Sequence, residues 1–389
     1  MEEDLEYWLE PDLLTAISFY VRKSADKLKR LSELADRIAA LRGAMAPKPI
    51  PKPEGEHYAY AVDSSYGSPP LELVGGVFTV IAYGYVGKTK RGVDKHLSGV
   101  VYFEDREEQD VSRYATLLER KLAAKLLRQK AEGKKEFDIL IVDGEIAVHP
   151  LPFNLAVSGG RYEEVNKVVD SLMEGVERSQ VALVGLAKRV RSRYLSLLYG
   201  NCLPVNDRVA ASLILRPGEY AVLGPLRDVL PKWAEIHYAS CEGGPLKDDV
   251  LSCFKEGVPA RNAKSERLCQ RLREFGVNFG NVLNSNRYPH LKLLGDIVIA
   301  YYMPPGSQTA VRVEVLNSGD YSVEEVVSYL SATSSTTTGY PQILDEVDRY
   351  VRVTPDLVDA VLMMLIREAP SKLLNVLQPN NLQKFRRLF

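Results

Sequence analysis

Three acidic residues in this chain break the pattern around them. Asp63 closes the apolar run Tyr58-Ala59-Tyr60-Ala61-Val62, and Asp143 closes Ile139-Leu140-Ile141-Val142. Glu119 falls on the apolar face of a predicted helix, beside Ala115, Leu122, Ala123 and Leu126. A carboxylate delivered to the end of a buried strand is costly unless something compensates it. A divalent cation compensates three at once. Two such ions held about 4 Å apart activate a water and stabilise the leaving oxygen in phosphodiester cleavage. The five histidines and the cysteines Cys202, Cys241, Cys253 and Cys269 match no zinc spacing, so oxygen ligands point to magnesium or manganese. Each acid also has an ordinary reading. Asp63 would cap its own turn, Asp143 would belong to a plain Asp-Gly turn, and Glu119 would reach water from the stripe's edge.

The surroundings of the acids suit a phosphate. Asp63 is followed by Ser64-Ser65, small residues that leave room for a metal and its ligand, and Gly144 allows close backbone approach after Asp143. On the helix of Glu119, the residues Arg120, Lys121 and Lys125 are expected on the exposed side.

The elements that must carry these residues follow from periodicity. Residues 57–62, 72–86 and 96–104 are rich in Val, Tyr and Ile and predict three consecutive strands in a meander. Residues 109–132 and 161–179 have helical spacing. The short apolar runs 139–142 and 181–187 predict strands buried on both faces. The order β-β-β-α-β-α-β gives an α/β fold, a mixed sheet flanked by helices. Residues 297–302 and 310–316 add strands, and 321–330 add a helix. The Ser/Thr run 331–339 reads as a flexible loop. Pro341 opens a helix at its first position, and Thr354-Pro355-Asp356 opens another that runs to about Arg367.

Four segments result: a helical extension over 1–46, a proline-rich linker over 47–56, a main domain over 57–368 with a less regular insertion over about 200–296, and a tail over 369–389. In the first, Leu14, Ile17, Val21, Leu28, Leu31, Ala35 and Ile38 occupy heptad positions. They form either a coiled-coil seam, which predicts a homodimer, or a face packed on the chain's own domain.

Composition sets limits. With 389 residues, 46% of them hydrophobic, the chain can bury a sizeable core. Fifty basic residues balance fifty-one acidic ones, so a nucleic-acid surface must be local. The apolar stretches are strand-length, which predicts no membrane span, and the acidic Met1-Glu2-Glu3-Asp4 lacks the basic start of a signal peptide. A cytoplasmic protein is expected.

Acid on the first strand, acid on the helix after the meander, acid ending the next strand: that order matches the ribonuclease H-like fold. At these residues the chain resembles the NurA nucleases. Asp63-Ser64-Ser65 is similar to that family's first motif, which usually reads Asp-Gly-Ser. Glu119 and Asp143-Gly144 resemble the second and third, and Val184-Gly185-Leu186-Ala187-Lys188 resembles a later strand ending in lysine. Gly339-Tyr340-Pro341 resembles the C-terminal motif, in which a histidine usually follows eight residues after the tyrosine. Here that position is Asp348. The resemblance implies Asp63, Glu119, Asp143 and Asp348 as catalytic metal ligands. Asp348 is expected toward the core, since its neighbours on the helix are Leu344 and Val351. Lys188, with Arg189 and Arg191, is expected on the phosphate backbone, and Tyr340 on a base or a phosphate. A solvated basic face and ordinary packing are the alternatives.

The resemblance further implies 5′-to-3′ exonuclease and single-strand endonuclease action on DNA ends, with manganese or magnesium. It also implies a homodimer docked on a hexameric HerA-type helicase in double-strand break repair. Two other functions stay open: a non-catalytic DNA-binding or helicase-adaptor protein on the same fold, and a ribonuclease H-like enzyme acting on RNA or recombination intermediates.

Overall fold

In the computed structural model, the chain starts with α1 (Pro11–Ala39), α2 (Arg42–Met45) and the two-residue strand β1 (Lys48–Pro49). The meander follows as β2 (Ala59–Tyr66), β3 (Leu71–Leu73), β4 (Gly76–Thr89) and β5 (Gly92–Glu104). Next come α3 (Glu108–Ala131), β6 (Ile139–Asp143), α4 (Arg161–Ser179), β7 (Ala182–Ala187), α5 (Asp207–Ile214) and β8 (Glu219–Pro225). The last elements are β9 (Val298–Met303), β10 (Val311–Asn317), α6 (Val323–Ala332), α7 (Gln342–Tyr350) and α8 (Pro355–Glu368). The structure describes residues 11–39, 42–104, 108–146, 161–188, 205–230, 279–319 and 321–369, with 190, 192, 194, 195, 266, 376 and 377. All four cysteines, and most of the insertion expected over 200–296, lie outside the described residues.

Ten described strands form one mixed sheet in the order β1-β8-β9-β10-β7-β6-β2-β4-β3, with β5 on the outer side of β4. Its middle is parallel: β6 pairs with β2 and with β7, and all remaining pairs are antiparallel. The reason is visible in the sequence. Ile139–Val142 and Ala182–Ala187 are fully buried apolar runs, and only the centre of a sheet covered on both faces accommodates them. One core lies between the sheet and α3, α4 and α5. It holds Tyr60, Val62, Leu140 and Val142 from the strands and Leu122, Leu126, Val169 and Leu172 from the helices. The opposite face carries Ala59, Ala61, Ile139 and Ile141 against Val327 and Leu330 of α6 and Ile343, Leu344 and Val347 of α7. Ser322 and Glu325 form a capping box that starts α6, and the Thr354 side chain caps α8 above Pro355.

Several expectations shift. The predicted strand 72–86 is two strands, broken at Gly75. Within the proline-rich stretch, Lys48 and Pro49 join the sheet edge by pairing with Tyr220 and Glu219 of β8. Pro341 is the residue before α7, not its first. The Ser/Thr run is held in turns: the Ser335 amide donates to Tyr340 O and the Gly339 amide to Ser335 O, both at 2.8 Å. Among the described residues, no helix is long and apolar enough to cross a membrane.

Candidate active site

Strand register places the first two acids. β2 and β6 pair from Ala59↔Ile139 to Val62↔Val142, so Asp63 and Asp143 follow side by side at the next step. Side chains alternate along a strand, so both belong to the face of Ala61 and Ile141, the one that α7 covers. Asp143 pairs with Leu186 of β7, which brings Lys188 to the same sheet edge two residues later. β2 does not end at Asp63. It leaves β6 after Val62 but stays paired with β4 as far as Tyr66↔Ile81, and the gap opens beside residues 63–66. Glu119 reaches this gap from α3, where Ser64 Oγ donates to Glu119 Oε2 at 3.2 Å. Asp63, Ser64, Glu119, Asp143, Lys188 and Asp348 all line one open cavity of about 570 Å³.

The two deepest acids are nearly closed off, Asp63 and Glu119 each being 3% exposed. The Ser64 amide donates to Asp63 Oδ1 at 2.7 Å, whereas Asp63 Oδ2 is buried with no hydrogen-bond partner. Burial pushes the Asp63 carboxyl up to about 9. Glu119 and Asp143 add repulsion, and Lys188 and the Ser64 amide pull the other way. Burial likewise pushes Glu119 up to about 7, opposed by the Arg120 guanidinium and reinforced by Asp143. Burial lowers the Lys188 ammonium, but Asp143, Asp63 and Asp348 outweigh it and the net shift is upward. In the cavity lining, Asp63, Glu119, Asp143, Glu145 and Asp348 outnumber the single cation Lys188. An orphaned carboxylate oxygen among further carboxylates fits a hard divalent cation.

Asp63, Glu119 and Asp143 share one cavity, but among the described residues no three His, Cys, Asp or Glu groups are drawn together around one point. Uncompensated carboxylates repel each other. Lys188 Nζ instead sits 3.1 Å from Asp143 Oδ2 and 3.9 Å from Asp348 Oδ1. Asp348 departs from expectation. Ile343, Leu344 and Val347 take the buried face of α7, and the Asp348 side chain is 60% exposed on the open side of the cavity.

Tyr340 does not line the cavity. Its ring is buried, with the Arg208 guanidinium 5.7 Å from its centre. Arg208 also donates to Lys188 O at 3.0 Å, so the two residues support the lysine from behind. Arg189 and Arg191 lie outside the described residues.

The sequence reading missed a buried ionic layer. Arg120, expected on the exposed side of its helix, is 1% exposed. α3 packs against β2 on one side and α4 on another, which buries consecutive residues. Arg120 Nη1 pairs with Glu119 Oε1, and Nη2 donates to Asp143 O at 3.0 Å and Glu145 O at 2.5 Å. On β10, Arg312 Nη1 donates to Glu145 Oε1 and Nη2 to Glu314 Oε1, each at 2.5 Å. The one sequence signal was the pair of charges, Arg312 and Glu314, inside the apolar run 310–316.

The model of the NurA domain family matches residues 57–353 of the chain. No curated protein matches it. Among solved structures, the NurA nuclease from Sulfolobus solfataricus is similar with a TM-score of 0.54 at 13% identity, over 91% of this chain and 96% of that one. A NurA structure with manganese gives 0.52 at 13% identity, over 92% and 98%. A further NurA structure gives 0.53 at 12% identity, over 90% and 98%. At such identities the likeness is one of fold, and it carries the mixed sheet flanked by helices.

Proposed function

The chain belongs to the NurA domain family, and on that premise we propose that it is a divalent-metal-dependent DNA nuclease working in the cavity of Asp63, Glu119 and Asp143. The observation that supports this most is the unpartnered, buried Asp63 Oδ2 beside two further carboxylates. A buried carboxylate oxygen left unpartnered among other carboxylates is costly, and a divalent cation would satisfy it. Asp63, Glu119 and Asp143, with Asp348 at the rim, would hold manganese or magnesium, and one NurA relative was solved with manganese. A metal held there would activate a water as nucleophile and stabilise charge at the leaving oxygen.

The chain's own residues do the rest. Ser64 holds one oxygen of Glu119 and leaves the carboxylate facing the cavity. Asp63 and Glu119 would hold a cation as carboxylates, with their protons released to solvent. Lys188 passes from Asp143 and Asp348 to a backbone phosphate, which it holds as a point charge without reading sequence. Tyr340 and Arg208 act one layer behind, steadying Lys188. The finer properties rest on the family: 5′-to-3′ exonuclease and single-strand endonuclease action, DNA end resection in break repair, a homodimer, a HerA-type hexameric partner and a cytoplasmic setting.

The test is cleavage of end-labelled single- and double-stranded DNA with manganese, against an RNA competitor. Wild type should cut DNA, EDTA should stop it, and folded Asp63→Ala and Asp143→Ala should be inactive. A wild type that binds DNA without cutting it would instead favour the adaptor function.

A further inference from the structure

A charge buried at 1% exposure is expensive, and a fold that needs only stability can use an apolar residue of the same volume. Among the described residues two arginines are of that kind, Arg120 and Arg312, and both reach the same four-residue turn. That turn, Asp143-Gly144-Glu145-Ile146, is the one that presents Asp143 to the cavity.

The grip on the turn is unusually complete. Arg120 takes the carbonyls of Asp143 and Glu145. Arg312 takes the Glu145 carboxylate. Glu314 Oε2 accepts the Ile146 amide at 2.8 Å, and Leu186 O accepts the Gly144 amide at 2.8 Å. Gly144 adopts φ +82°, a conformation that suits glycine. A Cβ at Gly185 would lie 2.8 Å from Gly144 O and 2.9 Å from Ile146 N, so the turn is pressed directly onto β7. With its other terminal nitrogen, Arg120 holds Glu119 Oε1. One planar guanidinium thus spans the helix that carries Glu119 and the turn that carries Asp143. A lysine is a point donor and cannot bridge them in the same way.

We propose that Arg120 is a positioning residue of the nuclease site: it sets the distance and orientation between Glu119 and Asp143, and Arg312 locks the same turn through Glu145 and Glu314. At 1% exposure Arg120 cannot touch DNA. It acts through the two acids, as outer partners of metal-binding carboxylates do, and loss of such partners typically costs about 10- to 100-fold in metal affinity or activity. This inference rests on the nuclease reading.

Arg120→Lys and Arg120→Gln of the full chain test it, with thermal melting to establish folding. Manganese affinity is read without DNA, from the electron paramagnetic resonance signal of free manganese. Steady-state cleavage then gives kcat and KM. Both variants should lose about 10- to 100-fold in manganese affinity and in kcat at saturating metal, with KM for DNA unchanged and Lys retaining more than Gln. Glu145→Gln keeps an acceptor for Arg312 but removes its charge, and it should give a smaller loss of the same kind. Wild-type manganese affinity and kcat in folded Arg120 variants would overturn the proposal. Failure of both Arg120 variants to fold would assign the guanidinium to stability and overturn it too. A wild type that neither binds manganese nor cuts DNA would sink the nuclease reading itself, an outcome separate from these.

Discussion

Replacing Asp63 by Asn should stabilise the metal-free protein, and the gain should depend on pH in a defined way. The native Asp63 carboxyl is pushed from 3.8 up to about 9, mainly by burial and then by Glu119 and Asp143. A carboxyl raised on folding holds its proton in the native state over a range where the unfolded chain has lost it. Its stability contribution is complete below about pH 4 and is lost as pH rises toward 9. Each pH unit in that window removes up to about 1.4 kcal/mol. From pH 4 to 7 the ceiling is about 4 kcal/mol, and because Glu119 titrates in the same region, the share of Asp63 is on the order of 2–4 kcal/mol. The Asp63→Asn variant escapes this loss. Its amide oxygen would still accept the Ser64 amide, and its NH2 would replace the proton of the neutral acid at Oδ2. The assay is melting of both proteins in EDTA at pH 5, 7 and 9. The melting temperature of Asp63→Asn should exceed that of wild type by a margin that grows from pH 5 to 9. Manganese at 100 times its Kd should restore about 2.7 kcal/mol to wild type but much less to the variant. Parallel curves with no pH-dependent gap would refute the claim that Asp63 is a buried, uncompensated acid.

Lys188→Ala should weaken single-stranded DNA binding alike on every sequence and shallow the log-affinity against log-salt slope by about 0.7, as a titration at several salt concentrations would show. Wild-type affinity and slope would leave Lys188 as a partner of Asp143 and Asp348 alone. Asp348→Asn should lower manganese affinity more than DNA affinity, measured by metal titration and by fluorescence anisotropy of labelled DNA; an equal loss in both would remove it from the metal set. On α1, Ile17 and Val21 are 42% and 60% exposed at heptad positions, so a chain starting near Pro47 should sediment as a smaller species than the full chain. An unchanged oligomeric state together with unchanged binding of a HerA-type partner would show that α1 serves only its own domain.

The parts of this site that are local in sequence were legible, and the parts that depend on distant partners were not. Asp63 and Asp143 each end an apolar run, so their placement could be read directly. The register Val62↔Val142, which makes them neighbours, joins residues 80 apart and leaves no local trace. Asp348 was misjudged because its neighbours Leu344 and Val351 are indeed buried, but Ile343 and Val347 centre the buried face to one side of it and leave Asp348 at the exposed edge. Arg120 looked like one more surface charge on a charged helix; its acceptors at Asp143 and Glu145 are more than twenty residues away. β1 has only two residues, one of them a proline, and only its pairing with β8 gives it strand character. The Ser/Thr run before Tyr340 has loop composition, yet its backbone is closed by the hydrogen bonds of Ser335 and Gly339.

The most direct measurement is anomalous scattering at the manganese edge from crystals grown or soaked with manganese. It should place manganese in the cavity, coordinated by carboxylate oxygens that include the now unpartnered Asp63 Oδ2, with Lys188 displaced from Asp143. Manganese bound elsewhere on a protein that cuts DNA, with this cavity free of it at saturating metal, would contradict the account.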